Sequence, residues 1–230
     1  MKPRIGAFGE AALLVEYGDT PDLTLNARVH ALARQLDAKP LEAQTNLVPG
    51  YVSLLIELDP LHVDLEQARS SLERLMSNLH VPPIGFRRRR VIPTVYGGEW
   101  GPDLDDVATR AGISAADVVA RHTALEQTVY MLGFSPGFPY LGDLPDELSL
   151  PRRETPRERV PIGSVAIAER QTGIYSREMP GGWHVLGRTP IALFDESHDP
   201  PAYLSAGDRV AFVEIPADDW DRYTGAPSDW

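Results

Sequence analysis

Hydrophobic and polar residues follow two periods along the first third of this chain. Ile5 to Phe8 and Ala11 to Tyr17 carry the two-residue alternation of strands and flank Gly9-Glu10, which predicts a hairpin. Beyond Gly18 and Asp19, Leu25, Val29, Leu32 and Leu36 recur at the spacing of one helical face, with Pro21 expected in the first turn. A second hairpin is expected to turn at Pro49-Gly50, with Val52, Leu54, Ile56 and Leu58 alternating along its second strand. Asp64 then caps a helix carrying Leu65, Ala68, Leu72, Leu75 and Leu79. Two hairpins and two helices in this order predict a small α+β sandwich, with helices on one face of an antiparallel sheet.

The pattern changes after Val81-Pro82-Pro83-Ile84-Gly85, which reads as a linker because it cannot continue a helix. Residues 1–84 and 85–230 are therefore expected to form two domains. The second opens with a strand over Val91 to Tyr96, ended by Gly97-Gly98, and two short helices follow. The first of these, Asp103 to Ala111, stops at Gly112; the second begins at Ser114, whose spacing to Asp117 is that of a capping box, and runs to about His122. Short β segments punctuated by Gly and Pro then predict a closed or nearly closed barrel: Val129 to Phe134, Ser164 to Ala168, Trp183 to Leu186, Ile191 to Phe194 and Arg209 to Ile215. One helical turn is expected around Asp218 to Tyr223.

Charge narrows the partners. The 230 residues carry a formal net charge of -11, which disfavours nucleic acid and anionic membrane. Arg87 to Arg90 is the local exception and reads as a solvated strand edge or a basic anion patch. No stretch approaches the apolar length of a membrane span, and the N-terminal segment has Glu10 and Glu16 within its apolar portion, unlike a secretory leader. The chain has no cysteine, which excludes disulfides and thiolate chemistry and fits a cytoplasmic location.

Candidate chemistry concentrates in two loops, MLGFSPGFPY at Met131 to Tyr140 and QTGIYSREMPGGWHVLGRTP at Gln171 to Pro190. Gly and Pro beside aromatics favour fixed, irregular backbone with rings lining the surface that results. The six histidines show no metal-binding spacing, and Gly97 to Gly101 lacks the lysine of a phosphate loop. Ser135 sits in GFSPG, but Pro136 after it has no N–H to help form an oxyanion hole, which argues against a serine hydrolase. Among the polar residues near the loops, Arg152, Arg153, Arg157 and Arg159 can grip a carboxylate or phosphate, or pair with Glu154, Glu158 and solvent. Gln171 and Thr172 offer an amide and a hydroxyl, and His184 is either an acid–base group or a satisfied barrel histidine. Asp143, Asp195 and Asp208 are the nearest carboxylates, the last most simply a turn residue.

GFSPGFPYLGDLP, PRRETPRERVPIGSVAIA, QTGIYSREMPGGWHVLGRTP and GDRVAFVEI resemble, in that order, the family of 5-oxoprolinase B subunits, also called allophanate hydrolase subunit 1, which includes Kip-type kinase inhibitors. IGAFGEAALLVEYGD and VYGGEWGPDLDDVA extend the likeness over nearly the whole chain. The resemblance implies an N-terminal α+β domain and a C-terminal cyclophilin-like β-barrel. It implies partners similar to the C and A subunits of 5-oxoprolinase, and a complex that opens 5-oxo-L-proline to L-glutamate with ATP and Mg, this chain being inactive alone. By position, Phe134, Pro136, Gly137, Phe138 and Tyr140 match one family motif, Arg152 and Arg157 a second, and Gln171, Thr172, Gly173, Tyr175, Pro180, Gly181, Gly182 and Trp183 a third. With His184, they are expected around one cleft facing a partner protein, where Arg157→Ala or Trp183→Ala should abolish activity and leave the chain folded. Glu169-Arg170 and Ser176 depart from the family pattern. Two further functions remain open: inhibition of a sensor histidine kinase, and a place in a biotin-dependent urea carboxylase or allophanate hydrolase system.

Overall fold

A computed structural model describes residues 3–81, 88–227 and 230. By its internal contacts the chain divides into two compact units, Met1–Gly85 and Phe86–Trp230. Most of the expected linker, and Arg87 of the basic run, lie outside the described residues.

In the first unit, strands β1 (Arg4–Ala7), β2 (Ala12–Glu16), β3 (Gln44–Pro49) and β4 (Ser53–Leu58) form one antiparallel sheet in the order β1-β2-β4-β3. Helices α1 (Leu23–Ala38) and α2 (Leu65–Ser77) supply the apolar stripes. Leu13 pairs with Ile56 and Val15 with Leu54, so four apolar side chains share one sheet face. They are buried with Leu32, Leu36 and Leu72 from the helices. The Asp22 carboxylate accepts the Leu25 N–H at 2.8 Å and starts α1, so Pro21 precedes the cap rather than standing in the first turn. Asp64 accepts the Gln67 N–H at 3.0 Å and starts α2 as expected.

The second unit is built on a closed barrel. Its strands are β5 (Arg89–Tyr96), β6 (Glu126–Leu132), β7 (Pro139–Gly142), β9 (Ser164–Ala168), β10 (Gln171–Ile174), β12 (His184–Arg188) and β13 (Arg209–Glu214). They close in the order β10-β7-β6-β13-β5-β12-β9, with β13 and β5 parallel. Two further strands, β8 (Arg157–Val160) and β11 (Met179–Gly181), pair as a separate ribbon. Helices α3 (Leu104–Ala111) and α4 (Ala115–Thr123) pack on the barrel through Val107, Val118, Ile167 and Leu186, and a short α5 (Trp220–Tyr223) lies near the end of the chain.

Local signals explain the helix boundaries. Gly112 closes α3 at φ 69°, and Ser114 with Asp117 forms the reciprocal capping box of α4. Ile92, Val129, Leu141, Val165, Ile174, Val210 and Phe212 form the barrel core. Arg89 lies in β5 and pairs with exposed Glu126, whereas Arg90 is buried with its guanidinium 4.2 Å from the centre of the Tyr203 ring. The segment Ile191 to Phe194 is not a continuous strand; Ile191 and Phe194 each make one isolated bridge, to Gly225 and Ala202. Strands β7, β8, β10 and β11 escaped sequence reading because each is three or four residues long, too short to display a period.

Ile56 is fully buried in the first unit. Its truncation to Ala is expected to destabilise that unit by about 2–5 kcal/mol, read as a lower urea midpoint for its unfolding.

Candidate functional site

The two aromatic loops meet on the outer face of the barrel. Strand β6 turns into β7 through Gly133 to Phe138, closed by the Phe138 N–H donating to the Ser135 carbonyl at 3.0 Å. Phe134 adopts φ 67° in this turn, a left-handed conformation rare for a bulky residue, and its side chain is 65% exposed. Phe138 is buried and touches four rings edge-on, with centroids 5.7 Å away for Phe134, 5.0 Å for Tyr140, 5.3 Å for Tyr175 and 5.8 Å for Trp183. Edge-to-face contact sets a positive ring edge against a negative ring face, which holds each ring's angle as well as its place.

Bare backbone makes room for these rings. Gly173 stands opposite Tyr140 in the ladder, and a Cβ there would lie 2.6 Å from the Phe138 ring and 2.9 Å from the Trp183 ring. A Cβ on Gly181 would lie 2.1 Å from the Tyr175 hydroxyl. Burial raises the pKa of both the Tyr140 and Tyr175 phenols, against a smaller opposing effect of the Arg152 charge.

The arginines divide. Asp103, buried at the start of α3, receives two parallel bonds from Arg157, both 2.7 Å, and one from Arg153 at 2.7 Å. The Val185 N–H donates to the same carboxylate at 2.7 Å. Burial alone would raise the Asp103 pKa, but the Arg157 and Val185 hydrogen bonds and both guanidinium charges hold it below its ordinary value. Arg159 pairs with Glu178 at the surface. Arg152 is exposed and has no acidic partner among the described residues. The anticipated pairing with Glu154 and Glu158 is thus replaced by pairing to Asp103. Nothing local in the sequence marked Asp103, which lies about 50 positions before its arginines.

Phe134, Phe138, Tyr140, Tyr175 and Trp183 come together on the aromatic face, with Gly181 and Gly182 beside them. Pro136 is exposed in the same turn, and its carbonyl accepts from the Ser176 hydroxyl at 2.6 Å. Ser176 also lies 3.1 Å from the Ser135 hydroxyl, so Ser135 is hydrogen-bonded to a serine, with no imidazole in the pair. Gln171 is half-buried opposite Ala168, where β9 turns into β10 through Glu169 at φ 52°.

Thr172 and His184 both stand opposite Ile167 and so face the other side of their strands. The Thr172 hydroxyl lies 3.3 Å from His122 Nε2, and the Tyr96 hydroxyl 2.8 Å from His122 Nδ1. Burial lowers the His122 pKa to about 3, so this imidazole is neutral and serves packing. His184 Nε2 lies 2.9 Å from the Pro151 carbonyl. Asp143 accepts from the Tyr130 hydroxyl at 3.2 Å, Asp195 from the Ser197 N–H and Asp208 from the Ser205 N–H, both at 2.9 Å.

A family model described as carboxyltransferase domain, subdomain C and D, matches residues 3–204. The B subunit of 5-oxoprolinase from Bacillus subtilis (strain 168) is 36% identical, the match covering 96% of each chain. Among solved structures, TTHA0988 superposes with a TM-score of 0.78 at 38% identity over 90% of this chain, which spans only 40% of that protein. A conserved uncharacterized protein from Pyrococcus horikoshii is 41% identical, with a TM-score of 0.57 over 94% of this chain and 100% of its own. The chain belongs to the carboxyltransferase C and D subdomain family, within the group of 5-oxoprolinase B subunits.

Because the Asp103 pKa is lowered by folding, its contribution to stability is present above about pH 4 and lost as pH falls through the folded value. Asp103→Ala leaves two guanidinium groups unpaired and is expected to destabilise the barrel unit by about 3–5 kcal/mol, with a flatter dependence of stability on pH below 4. Urea titrations of both proteins from pH 7 to pH 3 measure this. Arg157→Ala is expected to lower stability too, since Arg157 holds Asp103 instead of standing free.

Proposed function

We propose that this chain is the B subunit of an ATP-dependent 5-oxoprolinase, which opens 5-oxo-L-proline to L-glutamate in the cytoplasm together with proteins similar to the A and C subunits of that enzyme. The observation that carries this reading is the pairing of a full-length match to proteins of that name with a pre-organised aromatic face. Ser135 is bonded to Ser176, and His122 and His184 sit on the inward side of their elements, so among the described residues the face holds no nucleophile–base pair. A surface of this kind binds and orients; the complete reaction then requires groups from a partner, and the chain alone is inactive.

ATP finds no fitting loop in Gly97 to Gly101. The Trp100 and Gly101 N–H groups donate to the Gly97 carbonyl at 3.1 and 2.9 Å, so these amides are not free to cradle a phosphate. Glu99 adds negative charge, and no lysine is near in sequence. We therefore assign ATP and its Mg to the complex, outside this loop. What this chain contributes is placement: the exposed Phe134 and half-buried Tyr140 stand on a buried ring cluster, and the Asp103 network holds the neighbouring segment in place.

Reconstitution with the A-type and C-type partner proteins should give ATP-dependent release of glutamate from 5-oxoproline, and omission of this chain should abolish it. An unchanged rate without the chain refutes the assignment. Phe134→Ser removes an exposed ring that contributes little to the core, so thermal unfolding should shift by no more than about 0.5 kcal/mol. Turnover by the assembled complex is expected to fall at least about tenfold in that variant, through loss of the apolar contact.

A further inference from the structure

A groove of about 490 Å³ lies over the outer face of β5 and β13. Ile92 and Phe212 point into the barrel core, so by strand alternation Val91, Pro93 and Val213 face outward and form the floor of the groove. Val91 is 41% exposed and Val213 45%, large values for valines in paired strands. The far wall is the segment Tyr223 to Pro227, tied in place where the Ala192 N–H donates to the Gly225 carbonyl at 2.9 Å and the Gly225 N–H to the Pro190 carbonyl at 3.3 Å. Among the described residues no Asp or Glu lines the groove. Of its two arginines, Arg89 pairs with Glu126 at 2.5 Å, whereas Arg222 is exposed, stands 5.3 Å from the centre of the Tyr223 ring and makes no ion pair among the described residues.

The floor also carries unpaired backbone. The ladder between β5 and β12 joins only Val95 and Tyr96 to Arg188 and Gly187, so the first part of β5 has a ladder partner on the β13 side alone. There the Arg88 and Thr94 carbonyls accept from the Arg209 and Ile215 N–H groups at 2.8 and 3.0 Å, and alternation along the strand turns the N–H and C=O of Val91 away from β13. Pro93, next on that edge, has no N–H, which keeps the free stretch short. A small acid would use the guanidinium and the apolar floor and leave the Val91 backbone unmet; an extended peptide meets all three. On a chain of formal net charge -11, a groove free of carboxylates whose one unpaired charge is positive selects an acidic group. We propose that this groove docks an extended, apolar segment of a partner protein, whose backbone bonds Val91 and whose single carboxylate pairs with Arg222. The proposal rests on the reading of the chain as one subunit of a 5-oxoprolinase, from which the partner is taken.

The test is calorimetric titration of the full chain with the A-type and the C-type protein separately, together with hydrogen exchange at the Val91 amide. One of the two proteins is expected to bind the wild type. Arg222→Glu and Val213→Asp, both at exposed positions, should weaken that binding at least about tenfold with little change in melting temperature. The Val91 amide should exchange rapidly in the free chain and at least about tenfold more slowly in the complex, a readout that general surface contact without strand pairing does not give. Wild-type affinity in either variant overturns the proposal. So does Val91 exchange that is equally fast in the complex, or failure of both proteins to bind. Turnover is read separately with ATP: glutamate release by complexes of both variants at wild-type affinity keeps the 5-oxoprolinase reading and rejects the groove, whereas groove-dependent binding without glutamate release does the reverse.

Discussion

The buried carboxylate of Asp103 is the constraint on which the aromatic side of the barrel unit depends. It lies at the start of α3, accepts the Val185 N–H from β12, and is gripped by Arg153 and Arg157 from the segment that leads into β8. Three pieces of chain far apart in sequence are therefore fixed by one group. Desolvating a carboxylate is costly, and here four hydrogen bonds and two positive charges offset the cost. Such a network rewards one arrangement of the segment and penalises others, because any displacement leaves buried charge unpaired. The segment 151 to 157 has almost no apolar burial of its own, so this electrostatic tie does what a core does elsewhere.

The aromatic face works by a different rule, close packing around missing side chains. Phe138 can meet four rings at once because Gly173 and Gly181 leave room where any other residue would collide with Phe138, Trp183 or Tyr175. Rings packed edge to face in this way have few alternative rotamers, so the exposed edges of Phe134 and Tyr140 are presented in fixed positions. A ligand or partner landing there meets a surface already ordered, and association loses less to conformational entropy than it would on a mobile loop. The electrostatic tie and the ring cluster join at Trp183: residues on either side of it hold the backbone on either side of Arg152.

Much of the architecture was legible in the sequence because it is written locally. The helical stripes of α1 and α2, the Asp64 cap, the capping box at Ser114 and the stop at Gly112 each depend on residues within four positions of one another. The alternation from Leu54 to Leu58 fixed a face of β4, and the motif order carried the family. The misreadings have an equally local cause. Ile191 to Phe194 has strand composition, yet each end makes only a single bridge, and β7, β8, β10 and β11 are too short for any period to emerge.

The site divides along the same line. Sequence alone determined where the aromatics, glycines and prolines cluster, and that the chain carries no cysteine, no phosphate-loop motif and no histidines at a metal-binding spacing. Only the tertiary structure decided which arginine is engaged, because the answer depends on Asp103, a residue about 50 positions away whose own segment shows only a helix start. It also turned Thr172 and His184 to the inner side of their strands, since strand parity follows from barrel closure and from the register against Ile167. Composition names the groups available to a site; long-range pairing, which no short window of sequence contains, determines which of them remain free to act.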